Sequence, residues 1–153
     1  MRWVLLAYRL PREPSTPRIT VWRQLRRLGV GQVADGVVTL PLDARTREQL
    51  EWLADEVIGN AGEATVWLAE PGSAAQERAI AAEMAAMIAG EYGRVLDDAA
   101  ATASEPEPVR RRTVARLRRE LRRIRSRDYF PGPIADRARA AVEALGDSLV
   151  AVP

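Results

Sequence analysis

An α+β fold is predicted from three features of the 153-residue sequence. The chain opens with a run that is apolar on both alternating faces. An Asp-Gly pair sits between two short apolar segments. Beyond residue 73 the apolar positions recur at helical spacing, with no further strand pattern. Together these imply a small sheet built around its first strand, one layer of helices against it, and a C-terminal extension of about three helices.

In residues 2–10 both alternating sets, Trp3/Leu5/Ala7 and Val4/Leu6/Tyr8/Leu10, are apolar. A strand of this kind is covered on both faces and belongs in the middle of its sheet. The stiff loop "PREPSTP" follows, with Thr16 as the expected N-cap and Pro17 in the first helical position. The helix is predicted to reach about Leu28, with Val21, Trp22, Leu25 and Leu28 on its inner face and Gly29 as its stop. Asp35-Gly36 predicts a hairpin with a type I′ turn, which needs positive φ at both central residues. Asp43 is placed to cap a second helix over about 44–58, with Leu50, Leu53, Ala54 and Val57 inward; Asn60 and Gly62 release it into the strand "EATVWLAE". The order is therefore β-α-β-β-α-β, a ferredoxin-like four-stranded antiparallel sheet with both helices on one face. The other face needs a cover, from the later helices or from a second subunit.

"SAAQ" at 73–76 has capping-box spacing, and Ile80, Met84, Met87, Ile88 and Val95 form the inner stripe of a helix reaching about Leu96. "ATASEPEP" reads as a linker. From Val109 a helix carries Val114, Leu117, Leu121 and Ile124 at spacings of three, four and three, a heptad-like seam walled by arginine. "FPGP" ends it, with Tyr129-Phe130 expected to plug the core at the turn, and a last helix aligns Ile134, Ala138, Ala141, Val142 and Leu145. The organisation expected is a ferredoxin-like unit over 1–72 and a helical extension over 73–153 packed on it. A winged helix is the competing fold, but it wants three helices before its hairpin, and only one precedes this hairpin.

Composition narrows the chemistry. Cysteine and histidine are absent, which excludes disulfides, thiolate and imidazole metal sites, and catalytic dyads or triads that use them. No stretch approaches the ~20 apolar residues of a membrane span. Arg9 and Pro11 cut the first apolar run too short for a signal peptide, so a cytoplasmic location without membrane contact is expected. All 23 basic residues are arginine. With alanine also abundant, this is the usage of a GC-rich genome, yet it leaves the chain with a planar, permanently charged fork suited to oxyanions.

The charge is segregated. Residues 1–30 hold seven arginines against one glutamate, residues 31–104 four arginines against thirteen acids, and residues 105–127 ten arginines against three glutamates. Two basic segments flank an acidic middle, behind a net charge of only +2. The first segment offers Arg9, Arg12, Arg18, Arg23, Arg26 and Arg27, beside a helix N-terminus that adds donors for an anion. The second offers Arg110, Arg111, Arg112, Arg118, Arg119, Arg122 and Arg123, a density suited to the phosphates of double-stranded DNA. The competing reading is structural: arginines that flank the seam and pair with acids such as Glu48, Glu51 or Asp55, in an interaction or dimerisation module. No aromatic residue interleaves the second run, which argues against single-strand stacking. Trp52 lies off the inner stripe of its helix and is expected to pack against the C-terminal helices, or else to anchor an interface.

The strings "PREPSTPRITVWRQLRRLGVGQVADGVVTLP", "TREQLEWLADEVIGNAGEATVWLA" and "RIRSRDYFPGP" together resemble the N-terminal domain of the ChrB chromate-resistance proteins, over about residues 2–148. A weaker likeness links the strand–helix–hairpin part to the central domain of PaaX-type repressors, itself similar to the small Cas nucleases. The resemblance implies a bacterial cytoplasmic regulator of chromate efflux, in a family whose members often carry a second, C-terminal domain. It implies no catalytic residues. Where the small Cas nucleases hold a divalent metal with an aspartate at the end of the first strand, this chain has Tyr8-Arg9, and Glu13 is the nearest carboxylate. A guanidinium repels a cation there, so metal-dependent hydrolysis is the least favoured reading. Chromate is a tetrahedral dianion that arginine forks can bind. Reducing it would require a thiol, a flavin or a metal, and no cofactor is expected. The partners expected are duplex DNA, chromate or another oxyanion, and a second copy of the chain.

Overall fold

The computed structural model describes residues 1–150. Its elements run β1 (Trp3–Arg9), α1 (Thr16–Leu28), β2 (Gly31–Ala34), β3 (Val37–Pro41), α2 (Ala44–Gly59), β4 (Glu63–Ala69), α3 (Ala74–Thr102), α4 (Glu107–Ser126) and α5 (Pro133–Val150). The chain divides into two compact units, Met1–Met84 and Ala85–Pro153, so α3 belongs to both.

The first unit is the ferredoxin-like sheet, with strands in the order β2-β3-β1-β4. β1 is central, antiparallel to β3 through Val4↔Leu40 and Leu6↔Val38 and to β4 through Leu5↔Trp67 and Ala7↔Thr65. Val4, Leu6, Val38 and Leu40 bury one face together with Val21 and Leu25 of α1 and Leu50, Leu53, Ala54 and Val57 of α2. Full burial of such side chains contributes roughly 1.5–3 kcal/mol each, which holds both helices to the sheet. On the opposite face the first turns of α3 supply the cover. The Trp3 indole donates to Glu77 at 3.1 Å, and a Cβ on Gly31 would meet Ile80 and Met84 at 3.0 Å.

Local chemistry differs from expectation at several ends. Helix α1 starts one residue earlier, with Ser15 rather than Thr16 as N-cap and Pro17 in the second position. Ser15 is already near-helical, and its carbonyl accepts from Ile19 N–H at 3.1 Å. The hairpin turn is not type I′, because Gly36 alone has positive φ (72°). The register instead advances from Gln32 to Ala34 on β2 while β3 advances from Val38 to Val37. That bulge supplies the twist an I′ turn would otherwise provide. Gly36 has a further reason to be glycine, since a Cβ there would lie 2.5 Å from the Tyr8 carbonyl oxygen. Asp43 does cap α2, accepting from Thr46 N–H at 2.8 Å while Thr46 Oγ1 accepts from Asp43 N–H at 3.0 Å.

The second unit is helical. Ile88, Tyr92, Val95 and Ala99 of α3 pack with Val114, Leu117, Leu121 and Ile124 of α4 and with Ala138, Val142 and Leu145 of α5. Helix α3 continues past Leu96 to Thr102, because Ala99 extends the Tyr92/Val95 stripe through a run of good helix formers. The linker shrinks to residues 103–106, and α4 begins at Glu107, since Pro108 is tolerated within a first turn. Three apolar residues expected inside are exposed: Trp22 of α1, Met87 of α3, and Trp52, which is 69% accessible rather than packed. No helix among the described residues is long and apolar enough to cross a membrane.

Candidate nucleic-acid interface

Helix α4 opens with Glu107 in its first turn and closes with Arg123 and Arg125 in its last, charges that complement the helix dipole at both ends. Its seam, Val114, Leu117, Leu121 and Ile124, is buried against α3 and α5. Burial of the seam fixes the rotation of the helix, and that rotation sorts the arginines into groups.

Those nearest the seam and its flanks are engaged within the unit. Arg110 donates through Nε to the Glu105 carbonyl at 3.0 Å and through Nη1 to Ser148 of α5, at 3.2 Å to its carbonyl and 2.7 Å to Oγ. Arg116 pairs with Asp98 of α3 at 3.2 Å and with Glu120 at 3.1 Å. Arg111 pairs with Glu107, and Arg127 with Glu91. The Arg118 guanidinium passes over Gly146, where a Cβ would come within 2.8 Å of Nη2. Within this unit the acids that pair with these arginines are Glu91, Asp98, Glu107 and Glu120; Glu51, expected as a partner, is held on its own helix by Arg47 at 2.9 Å.

Arg125 brings its charge near Tyr92, and a further group faces outward. Arg112 and Arg119, seven residues apart, lie on the side opposite the seam, with Arg122 and Arg123 flanking them, and all four are exposed; Arg123 also lines a groove toward α3 with Glu91, Asp98 and Glu120. No carboxylate among the described residues lies within ion-pairing distance of these four side chains. From Arg112 to Arg123 the stripe covers about 16 Å of helix axis at 1.5 Å per residue. Four fixed charges on one rigid face can neutralise backbone phosphates without first breaking internal pairs.

The arginines of the first unit do not converge on one surface. Arg9 and Arg18 share an open cleft of about 490 Å³ with Tyr8, Leu10, Ser15, Ile19, Trp22 and Gly36. Burial raises the pKa of the Tyr8 phenol, and the nearby Arg18 charge opposes that rise. Arg9 also reaches Glu63 at 3.6 Å, with both side chains largely in water. Arg26 stacks over the Trp22 ring at 5.1 Å, a cation–π contact at an exposed site. Arg27 lines a separate groove with Gln24, Gln49, Trp52 and Glu56, while Arg12 and Arg23 are exposed. Tyr8, Ser15 and Trp22 join this cleft without having been singled out as site residues. The cue in the sequence is that the end of β1 and the first two turns of α1 must meet once a short loop joins them.

The end of β1 thus carries guanidinium chemistry, as the sequence indicates, and the adjacent carboxylate, Glu63, faces Arg9. Among the described residues no group of three or more acidic side chains is placed to hold a metal ion.

Comparison with known proteins places this geometry among relatives. A family profile described as "Protein ChrB, N-terminal" matches residues 18–151. The chain is 31% identical over 142 residues to Protein ChrB of Cupriavidus metallidurans, covering 89% of this chain and 43% of that protein. Among solved structures, an uncharacterized protein from Mycobacterium tuberculosis, Rv0674, matches 97% of this chain and 60% of its own, with a TM-score of 0.58 at 15% identity, a likeness of fold. The chain therefore spans less than half the length of its curated relative and three fifths of its structural one.

Proposed function

From the premise that the chain belongs to the ChrB N-terminal family, we propose that it is a DNA-associated regulatory module of chromate resistance that binds rather than transforms its ligands. The observation that carries this reading is the exposed stripe of α4, Arg112, Arg119, Arg122 and Arg123, which makes no ion pair among the described residues. A structural helix of this composition has no need to leave one arginine-lined face unpaired while neighbouring arginines are engaged. The stripe acts as a positioning surface for phosphates, and such contacts are independent of base sequence. The cleft that joins Arg9 and Arg18 to Tyr8 is the oxyanion-sensing site in this reading, because two guanidiniums and a phenol hydroxyl supply the donors a tetrahedral dianion needs.

The test is a gel-shift titration of the chain against the promoter DNA of its own operon, at low salt and then at increasing salt. Binding with a log–log salt slope of about −0.9 per phosphate contact is expected. Absence of any shift at low salt refutes the DNA role. Calorimetric titration with chromate tests the cleft, and an Arg18→Gln chain should lose the signal. A second reading, an interaction module without nucleic acid, draws on the internal engagement of Arg110, Arg111, Arg116 and Arg127. It predicts no duplex binding at low salt, with charge reversal of Arg116 and Arg127 destabilising the fold.

A further inference from the structure

The two edges of the sheet are built differently. β2, at one edge, is four residues long, carries a bulge, and has the carbonyl of Ala34 engaged by the Gln32 side chain. Shortness, a bulge and a side chain laid across the strand are all means by which an edge is kept from pairing. β4, at the other edge, has none of them. It runs seven residues in unbroken register with β1, contains no proline, and carries its only charge at Glu63, the end residue.

The direction of its free groups follows from the pairing of β1. Tyr8 N–H donates to Gly36 on the β3 side at 2.8 Å. Backbone groups alternate along a strand, so Trp3, Leu5, Ala7 and Arg9 bond to β4 in the pairs Trp3↔Ala69, Leu5↔Trp67, Ala7↔Thr65 and Arg9↔Glu63. The N–H and C=O groups of Ala64, Val66 and Leu68 therefore point away from the sheet, and none of them has a backbone partner among the described residues. The side chains beside them remain apolar and accessible, Trp67 at 59% and Leu68 at 38%.

We propose that β4 is the seam of a two-fold symmetric dimer, in which a second copy of the chain adds its own β4 antiparallel about Val66. A two-fold axis at that residue sets Val66 against Val66 of the partner subunit, and Ala64 against the partner's Leu68. Every outward N–H and C=O of the three residues is then matched. The side chains also suit a second copy. Small Ala64 meets larger Leu68 on the face shared with Val4 and Leu6, and Thr65 meets Trp67 on the other. Each indole already lies back along its own strand, donating from Nε1 to Thr65 Oγ1 at 2.8 Å. This brings the two Trp67 rings into diagonal neighbourhood, a separation aromatic side chains can bridge. A strand with its bulk at both ends, or with a charge at its centre, would not pair with itself in this way. The result is one continuous eight-stranded sheet and an interface of the isologous kind.

Sedimentation equilibrium of the chain over a range of concentrations tests this. A reversible monomer–dimer equilibrium is expected. Val66→Pro deletes an outward N–H, which an edge strand tolerates, and should weaken dimerisation at least about ten-fold through the two central bonds lost. Leu68→Lys should weaken it too, and because it leaves the backbone unchanged it decides the matter if the proline variant fails to fold. The chain has no cysteine, so Val66→Cys introduces a single thiol. Across a hydrogen-bonded antiparallel pair the Cα atoms lie about 5.5 Å apart, within the roughly 4.4–6.8 Å a disulfide spans. Oxidation should therefore cross-link the dimer. A chain that stays monomeric at every concentration overturns the proposal. So does a dimer that neither Val66→Pro nor Leu68→Lys weakens, and so does a Val66→Cys chain that fails to cross-link.

Discussion

Replacing Arg112, Arg119 and Arg123 of α4 together by glutamine should flatten the salt dependence of DNA binding without loosening the fold. Each phosphate neutralised by a cationic side chain contributes about 0.9 to the log–log slope, so three lost contacts reduce the slope by about 2.7. Between 50 and 200 mM salt the affinity of the variant should consequently fall about forty-fold less than that of the parent chain. The three side chains are exposed and make no ion pair among the described residues, and surface substitutions of that kind stay within about 0.5 kcal/mol of stability. Fluorescence anisotropy of a labelled duplex at four or five salt concentrations gives the slope, and thermal melting checks the fold. The informative control is Arg111→Gln with Arg116→Gln, which also removes positive charge but from guanidiniums already paired with Glu107, Asp98 and Glu120. If net charge alone governs binding, the control lowers the slope by the same amount per residue. Equal effects per residue, or no change in slope for the triple variant, would refute the assignment of the outward stripe.

Three other outcomes follow from the packing. Leu117→Ala removes a fully buried residue at the centre of the α3–α4–α5 core and should cost about 2–5 kcal/mol, read from denaturant unfolding followed by far-ultraviolet dichroism. Asp43→Ala deletes the acceptor that caps α2 through Thr46 N–H and should cost about 1 kcal/mol, with Asp43→Asn retaining most of the stability. Tyr92 donates its hydroxyl to Asp128 at 2.8 Å, and burial first, then that hydrogen bond, raises its pKa well above the ordinary tyrosine range. The neutral phenol is therefore the form the fold favours, so its contribution is complete below the unfolded-state pKa of about 10 and declines as pH rises beyond it. Stability measured between pH 8 and 11 should fall at the alkaline end for the parent chain and fall less steeply for Tyr92→Phe.

Most of the fold was legible because its signals are local and mutually consistent. The doubly apolar β1 announces a central strand, and Asp43 announces the start of α2. The α4 seam at three, four and three announces a buried face. What escaped depends on partners distant in the chain. Trp22 looks like a core residue from its helical phase, yet its ring serves as a platform for Arg26. Met87 falls on the same extrapolated stripe as Met84 and Ile88, but the inner face of α3 turns toward Tyr92, which the stripe omitted. Proline punctuation misled at residues 106–108, where Pro108 belongs to the first turn of α4 instead of a loop. In the candidate site, the excess of arginine was visible at once. Which arginines are free was not, because that depends on where Glu91, Asp98 and Ser148 come to lie.

The rotation of α4 nonetheless supplies a rule that can be read from the seam alone. Positions on the seam side meet α5, as Arg110 and Arg118 do. The flank toward α3 meets its acids, as Arg116 and Arg127 do, and the far side, at Arg112, Arg119 and Arg122, is exposed. One residue type therefore performs two tasks with different geometric demands. Arg110 spreads one planar fork over the Glu105 carbonyl and both oxygens of Ser148, a reach that a compact ammonium does not reproduce. A phosphate on the far side asks only for a positive charge at the right height, which an ammonium does provide. Lysine exchange should therefore separate the two tasks. Arg110→Lys should lower stability and leave DNA affinity intact, whereas Arg119→Lys should leave both nearly unchanged and Arg119→Gln should lower affinity alone. If Arg119→Lys binds as weakly as Arg119→Gln, the stripe reads its partner by bidentate geometry instead of charge, and its target is a more specific group than a backbone phosphate.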